Sequence, residues 1–551
     1  MSLTLKEPDV EQLLRYGLLP ENLPPAINSG QLWDTFLPEQ GSYLITQKAR
    51  GSHSPFSASK RGGQRRLFGL PHPSFVHDAA TFMEKNWAEI VPVLDQATGS
   101  LSKPKFAVAG PRAVRITPHS ELPKARLRAF SRFRFCAVTD VSRCYPSIYT
   151  HSIPWAINGR AKAKADQKHT SGDVFGNRLD FIMRQAQDGQ TIGIAVGPDV
   201  SRLTGEIILS AVDGVFLSKY GKQKPTYLRH VDDYWIGGDS VEECELHLQN
   251  LRASLRSFEL DLNDLKTKII PTNKTLGESW PVEFERELKL SLTHNWRGSN
   301  YDAVSTLSKI VDKATSESDD GMIRHAIRKI DENNLWDEEW EVLEHFLAQC
   351  AVQFPHSFDY VARVIAWRIR IDSPVDLNLW QHVAVNAVGQ AASLGRDAEA
   401  LWGLWLLSEL KLFVSKTLSD TLIKNCSPLV LSYLAHMFSR GRTRDKTLGA
   451  LLWSRVEGNP YSGTGWPLSL ELVHLGIGGF DFAPFEGTER GLTLLHKDGL
   501  SIVDWSALPK VFFDDDGDPI AKPRRAIEDF TSDYDADDED DDDGFSAEID
   551  W

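Results

Sequence analysis

The chain has 551 residues, 41% of them hydrophobic and 10% aromatic, which is enough to bury sizeable cores in more than one domain. Its formal charge of −15 is concentrated at one end: thirteen acidic residues and no Lys or Arg lie from Glu528 onward, leaving −2 for the rest. Five scattered cysteines (Cys136, Cys144, Cys244, Cys350, Cys426) lack metal-ligand spacing, so neither a zinc site nor a disulfide framework is indicated, which fits a reducing compartment.

Glu7, Asp9 and Glu11 precede any apolar run, without the basic start and cleavage site of a secretory signal. The most apolar stretch, Leu401 to Leu412, is too short for a membrane span and contains Glu409 and Lys411. A cytoplasmic chain with no membrane partner is expected.

Up to about Thr272, strand-like runs alternate with Gly and Pro, at Leu44, Phe106 and Phe135 among others, so this part reads as α/β or α+β. Near its start, Lys60, Arg61, Arg65 and Arg66 form one basic cluster. Lys124, Arg126, Arg128, Arg132 and Arg134 form a second around Phe130 and Phe133. Either cluster serves as phosphate contacts with stacking surfaces alongside, or as an ordinary solvated face.

The run Arg134 to Tyr149, R-F-C-A-V-T-D-V-S-R-C-Y-P-S-I-Y, predicts a strand ending near Asp140 that turns into a helix, with Val138 and Asp140 on one face. Gln190 to Leu209 predicts a glycine-punctuated loop entering an amphipathic helix. Gly193 and Gly197 there would let backbone approach a template or an incoming base. Tyr227 to Gly238, Y-L-R-H-V-D-D-Y-W-I-G-G, predicts a hairpin with Asp232 and Asp233 at its bend. Leu260 to Ile269 places Asn263 and Lys266 between a helix and a strand.

An Asp-Asp turn by itself is usually a solvated hairpin tip. Adjacent carboxylates repel one another unless cations neutralise them. Two-metal phosphoryl transfer needs carboxylates on separate elements bridging ions roughly 3.5–4 Å apart, and a strand-end Asp140 facing a hairpin Asp232-Asp233 supplies that set. Two magnesium ions are the expected cofactors of such oxygen ligands. Lys266 would meet a triphosphate or protonate leaving pyrophosphate, or else lie on the surface.

These four segments resemble, in order, motifs A to D of reverse transcriptases. The resemblance implies a fingers–palm polymerase domain over residues 1–280 that uses deoxynucleoside triphosphates with RNA and/or DNA. It makes Asp140, Asp232 and Asp233 the catalytic metal ligands, Asp232 more critical than Asp233, and places Tyr145 where the family carries the aromatic ring that excludes a ribose 2′-hydroxyl. T-D-V-S-R-C-Y-P-S-I-Y from Thr139 and G-P-D-V-S-R-L-T-G-E from Gly197 look closest to the bacterial abortive-infection and related defence reverse transcriptases. That likeness implies antiphage defence, a phage-encoded trigger, a homo-oligomer and synthesis that is template-independent and primed on protein, with Tyr16 and Tyr43 as candidate priming residues unless they are plain core. His230 departs from the aromatic residue usual before x-Asp-Asp, and Ala195-Val196 from the Pro-Gln of retroelement enzymes.

After about Trp280 apolar residues recur at helical spacing, as at Trp336, Trp340, Leu343, Phe346 and Leu347. Helices are predicted at Phe358 to Arg370, Leu379 to Leu394, Asp397 to Phe413 and Pro428 to Arg440. They form an irregular HEAT-like solenoid over residues 281–512 or a plain bundle. Residues 513–551 predict a disordered acidic tail that solvates the chain, binds a partner through Phe530, Tyr534, Phe545 and Trp551, or covers a basic groove. Two readings from other classes stand beside the polymerase: a non-catalytic RNA-binding scaffold that keeps the fold, and a helical assembly module.

Overall fold

The computed structural model describes residues 4–505, apart from 6, 22, 47–48, 108–111, 277–279, 294–301, 334, 457, 479–480, 486–488 and 498. The acidic tail expected from 513 lies outside the described residues. In chain order the strands are β1 (Thr4–Leu5), β2 (Ser54–Lys60), β3 (Gln64–Leu70), β4 (Lys105–Ala107), β5 (Val114–Arg115), β6 (Phe135–Asp140), β7 (Tyr227–His230), β8 (Asp233–Gly238) and β9 (Lys268–Pro271). They make a three-stranded sheet (β1-β4-β5), a two-stranded hairpin (β2-β3) and a four-stranded antiparallel sheet ordered β7-β8-β6-β9.

The four-stranded sheet is covered on both faces, which is why β6 is buried along nearly its whole length. Cys136 and Val138 point to one side, where they meet Trp235 and Phe130 of the helix Leu122–Phe130. Ala137, Tyr234 and Ile236 point to the other and join the main core beneath the helices Asp199–Ser218 and Val241–Arg256. Strand alternation thus sends residues 136, 138 and 140 of β6 to one face and delivers a carboxylate at the strand's end.

Beyond Trp280 the described elements are helical, and they pack in two rows. Gly321–Glu332, Phe358–Arg370, Asp397–Glu409, Pro428–Ser439 and Trp466–His474 follow one another in the first row. Ala303–Ser316, Trp340–Gln353, Leu377–Leu394, Lys416–Asn425 and Leu448–Trp453 follow in the second. The large buried rings Trp336, Trp380, Trp402, Trp405 and Trp466 fill this part. Among the described residues no helix is long and apolar enough to cross a membrane.

One apolar cluster runs from Val10 to Val503, through both halves. The first helical row lies against β2, and the far end of the helical half returns to the start of the chain. There Asn28 N–H donates to the Ile502 carbonyl at 2.9 Å, Asp504 N–H to that of Ala26 at 2.7 Å, and Trp466 Nε1 to that of Leu70 at 3.0 Å. The strand expected at Leu44 is not formed. The backbone N–H groups of Leu44 and Ile45 donate instead to the buried carboxylate of Asp78, at 2.6 and 3.0 Å, which replaces a ladder partner.

Candidate active site

β6 and β8 run antiparallel with Asp140 directly opposite Asp233, and β7 and β8 pair His230 with Asp233. Val231 and Asp232 are therefore the two residues of the turn. Val141 N–H donates to the Asp232 carbonyl at 3.1 Å, which ties the turn to the end of β6. All three aspartates thus sit at one edge of the sheet. Asp140 is 8% exposed, and Asp232 and Asp233 are partly exposed.

The segment after the helix Val241–Arg256 closes on the same edge. Asn263 N–H donates to the Asp140 carbonyl at 3.0 Å, Thr139 and Thr267 hydroxyls meet at 2.7 Å, and Lys266 Nζ stands 3.3 Å from Asp140 Oδ2. Lys266 is carried by a turn that leads into β9.

What holds the hairpin is a buried charge network that sequence reasoning missed. Arg229 of β7 is fully buried and donates to both Glu206 oxygens at 2.7 and 3.0 Å and to Asp213 at 2.9 Å, all on the helix Asp199–Ser218. Burial opposes its charge, yet Asp213 and Glu206 outweigh that and hold its pKa well above the ordinary arginine value. Arg229 also donates to the Val231 carbonyl at 3.0 Å, and Val231 N–H donates to Ser102 Oγ at 2.6 Å. Val231 has φ of 52°, a left-handed conformation unfavourable for a β-branched residue, so these bonds fix a turn the sequence would not choose on its own. In sequence, Glu206 and Asp213 look like the polar face of an amphipathic helix. Their spacing of seven, two helical turns, was the available signal.

Tyr145 is partly buried, with its ring 3.6 Å from where a side chain on Gly205 would begin. Its carbonyl accepts from Ile194 N–H at 3.0 Å, which joins the loop after Gln190 to the segment after Asp140. Gly193 (φ 87°) and Gly197 (φ 120°) occupy backbone conformations that favour glycine. A Cβ on Gly193 would meet the Pro146 carbonyl oxygen at 3.3 Å, and one on Gly197 would meet Phe68 and Pro20 at 3.2 and 3.3 Å. Both the positive φ and the close approach of neighbouring atoms of the chain favour glycine at these two positions.

His230, the departure before x-Asp-Asp, is fully buried. It lies 4.4 Å from the His119 ring, with Nε2 2.9 Å from the Thr117 carbonyl oxygen. Arg61 pairs with Asp319 of the helical half, the two side chains being exposed by only 13% and 8%. Its neighbour Arg65 pairs with Glu399. Arg66 lies opposite Ala58 in the β2-β3 hairpin and is partly exposed.

In the second basic cluster Arg126 stacks over Trp235 at 4.2 Å and Arg132 over Phe133 at 4.8 Å, beside the sheet that carries Asp140. Tyr43 lies under the cations of Arg178 (4.1 Å) and Lys85 (4.8 Å); burial raises its phenol pKa, against the pull of Arg178. Tyr16 ends the helix Val10–Arg15 and packs on the core. Neither tyrosine has a contact with the aspartates among the described interactions.

The residues present fit magnesium in chemistry: two carboxylates on paired strands and a third in the adjoining turn supply hard oxygen donors. Asp232 and Asp140 also act on one buried neighbour. The Cys144 thiol is driven well above its ordinary pKa by burial first and then by Asp232, with Asp140 adding to it. Among the described residues no three His, Cys, Asp or Glu side chains converge as a ready-made metal cage.

No protein-family model matches this chain, and no curated protein matches it. Among solved structures it is similar to the apo telomerase from Candida tropicalis, with a TM-score of 0.30 and 10% identity over 88% of this chain and 76% of that one. It is also similar to the telomerase from Candida albicans in complex with a TWJ fragment of telomeric RNA, with a TM-score of 0.28 and 12% identity over 85% of this chain and 69% of that one.

Proposed function

We propose that the chain is a nucleotidyl-transferring polymerase of the reverse-transcriptase kind, acting on deoxynucleoside triphosphates. The observation that carries this reading is the direct pairing of Asp140 with Asp233 across β6 and β8, with Asp232 in the adjoining two-residue turn. Asp140, Asp232 and Asp233 would hold two magnesium ions, which when bound supply charge neutralisation and Lewis acidity at the reacting phosphate. The chain's own part is positional. Arg229 and its carboxylates fix the turn, and the ring of Tyr145 narrows the space beside the sugar. Lys266, 3.3 Å from Asp140, would give a proton to departing pyrophosphate.

Within this reading the enzyme serves antiphage defence in the cytoplasm, as a homo-oligomer and in response to a phage-encoded trigger, with synthesis that needs no template and starts on a protein hydroxyl. Support for this finer level is the sequence likeness of the segments from Thr139 and Gly197. A second reading, a non-catalytic RNA-binding scaffold, draws on one observation: the Lys266 ammonium beside Asp140 already neutralises part of the carboxylate charge.

The test is incorporation of labelled deoxynucleotides with and without added RNA, followed by protease or nuclease treatment of the product. Product formed without RNA and shifted by protease supports the finer reading. Product that requires RNA and ignores protease overturns template independence and protein priming while keeping the polymerase. RNA binding without incorporation favours the scaffold.

A further inference from the structure

The described chain ends on a basic and aromatic platform far along the helical half. The ring of Trp505 stacks on Tyr433 with centroids 5.1 Å apart, and the Arg440 guanidinium lies over it at 4.8 Å. Beside it, Arg442 and Arg444 lie 5.7 and 5.8 Å from the ring of Phe413, which is 50% exposed. The two segments are joined by backbone: Val414 N–H donates to the Arg442 carbonyl at 2.9 Å, and Arg442 Nη1 to that of Lys411 at 3.0 Å. Lys411 and Lys446, on the same two segments, are exposed cations.

Among the described residues, none of Arg440, Arg442, Arg444, Lys411 and Lys446 has a carboxylate in ion-pair contact. The acids close by are already engaged. Asp445 is 2.9 Å from Lys416 Nζ and accepts from Thr447 at 2.7 Å, while Glu409 takes Arg370 at 2.5 Å. Five like charges gathered around two aromatic rings call for an anionic occupant with ring-bearing residues.

We propose that this platform is the docking site, within one molecule, of the chain's own acidic tail. The tail has the matching chemistry: thirteen carboxylates from Glu528 onward without a Lys or Arg, interrupted by Phe530, Tyr534, Phe545 and Trp551, with Asp514, Asp515, Asp516 and Asp518 ahead of them. Its tether starts on the platform. Asp514 lies nine positions and Glu528 23 positions after Trp505, so the chain reaches roughly 30 Å and 75 Å if extended. A tether of that length gives the tail an effective concentration on the order of millimolar at its own platform. A free polyanion has no such advantage, and the palm's basic cluster around Arg128 is not where the tether begins. Docking neutralises the platform and keeps single-stranded nucleic acid, which would use the same arginines and rings, away from the helical half.

Carbodiimide cross-linking of the full chain, read by peptide mass spectrometry, tests this. At low salt, Lys411 and Lys446 are expected to link within one molecule to carboxylates of residues 514–551, with yields falling roughly tenfold at high salt or in the triple variant Arg440→Gln, Arg442→Gln, Arg444→Gln. Hydrogen exchange gives a second readout on the folded chain. Residues 411–414 and 440–446 should exchange faster when the thirteen tail acids are replaced by Asn and Gln. Tail links spread over lysines generally, or gathered at Lys124, overturn the proposal, as do links only between two molecules or unchanged exchange in the tail variant.

Discussion

At the scale of single residues, the ring of Tyr145 lies against the helix Asp199–Ser218 beside Gly205, five positions after Asp140. Replacing Tyr145 with Ala removes the ring without touching a carboxylate. The expected outcome is retained deoxynucleotide incorporation with discrimination against ribonucleotides weakened by roughly tenfold or more, read from paired kcat/KM values. Unchanged discrimination would make the ring a packing residue only. The position of Tyr145 was legible because its offset from Asp140 is local. The pairing of Arg61 with Asp319 was not, because the partners are 258 positions apart and a sequence read locally shows only a basic cluster.

Among the elements, the β7-β8 hairpin and the helix Asp199–Ser218 form one unit joined by charge. Arg229 is fully buried, as is Asp213, and Glu206 is 5% exposed, so removing the cation strands two buried carboxylates. Arg229→Met should therefore lower stability by roughly 3–5 kcal/mol in urea unfolding, because an uncompensated buried charge costs more than the pair contributes. A loss below about 1 kcal/mol would mean that water reaches the network.

Elements themselves were well marked where periodicity was strong. The helix expected from Phe358 to Arg370 has those bounds, and the one expected to run from Asp397 to Phe413 stops at Glu409. It stops early because Lys411 takes a positive φ of 58° and the chain then pairs at Val414 with Thr443. Tertiary pairing of that kind leaves no trace in hydrophobic spacing.

Over the whole molecule, the two halves share one core, and titratable groups lie along it. Burial holds His53 and His496 neutral with pKa lowered to about 4, and His72 and His325 to about 3. His72 packs against Trp466 at 5.6 Å, at the junction of β3 with the helical half. Each folded pKa lies below the unfolded value, so the unfolded chain binds more protons between about pH 6.5 and 4. Stability is fully present above about pH 6.5 and declines as the pH falls, by up to about 1.4 kcal/mol per histidine per pH unit. The melting temperature should drop between pH 7 and pH 5, and a flat profile would mean that these rings reach water in the folded state. The sequence reading divided the chain near residue 280 on its change of pattern, and the shared core shows why composition alone could not reveal how closely the parts are joined.

Asp140, Asp232 and Asp233 are proposed to form a metal-dependent nucleotidyl-transfer site. The most direct measurement compares magnesium-dependent incorporation of labelled deoxynucleotides by the unaltered chain and by Asp140→Asn and Asp232→Ala, with matched circular dichroism and melting curves. The expected result is incorporation by the unaltered chain that falls by at least about a hundredfold in each variant while the fold is kept. Equal incorporation by all three proteins, or none by a well-folded unaltered chain under the same conditions, would contradict it.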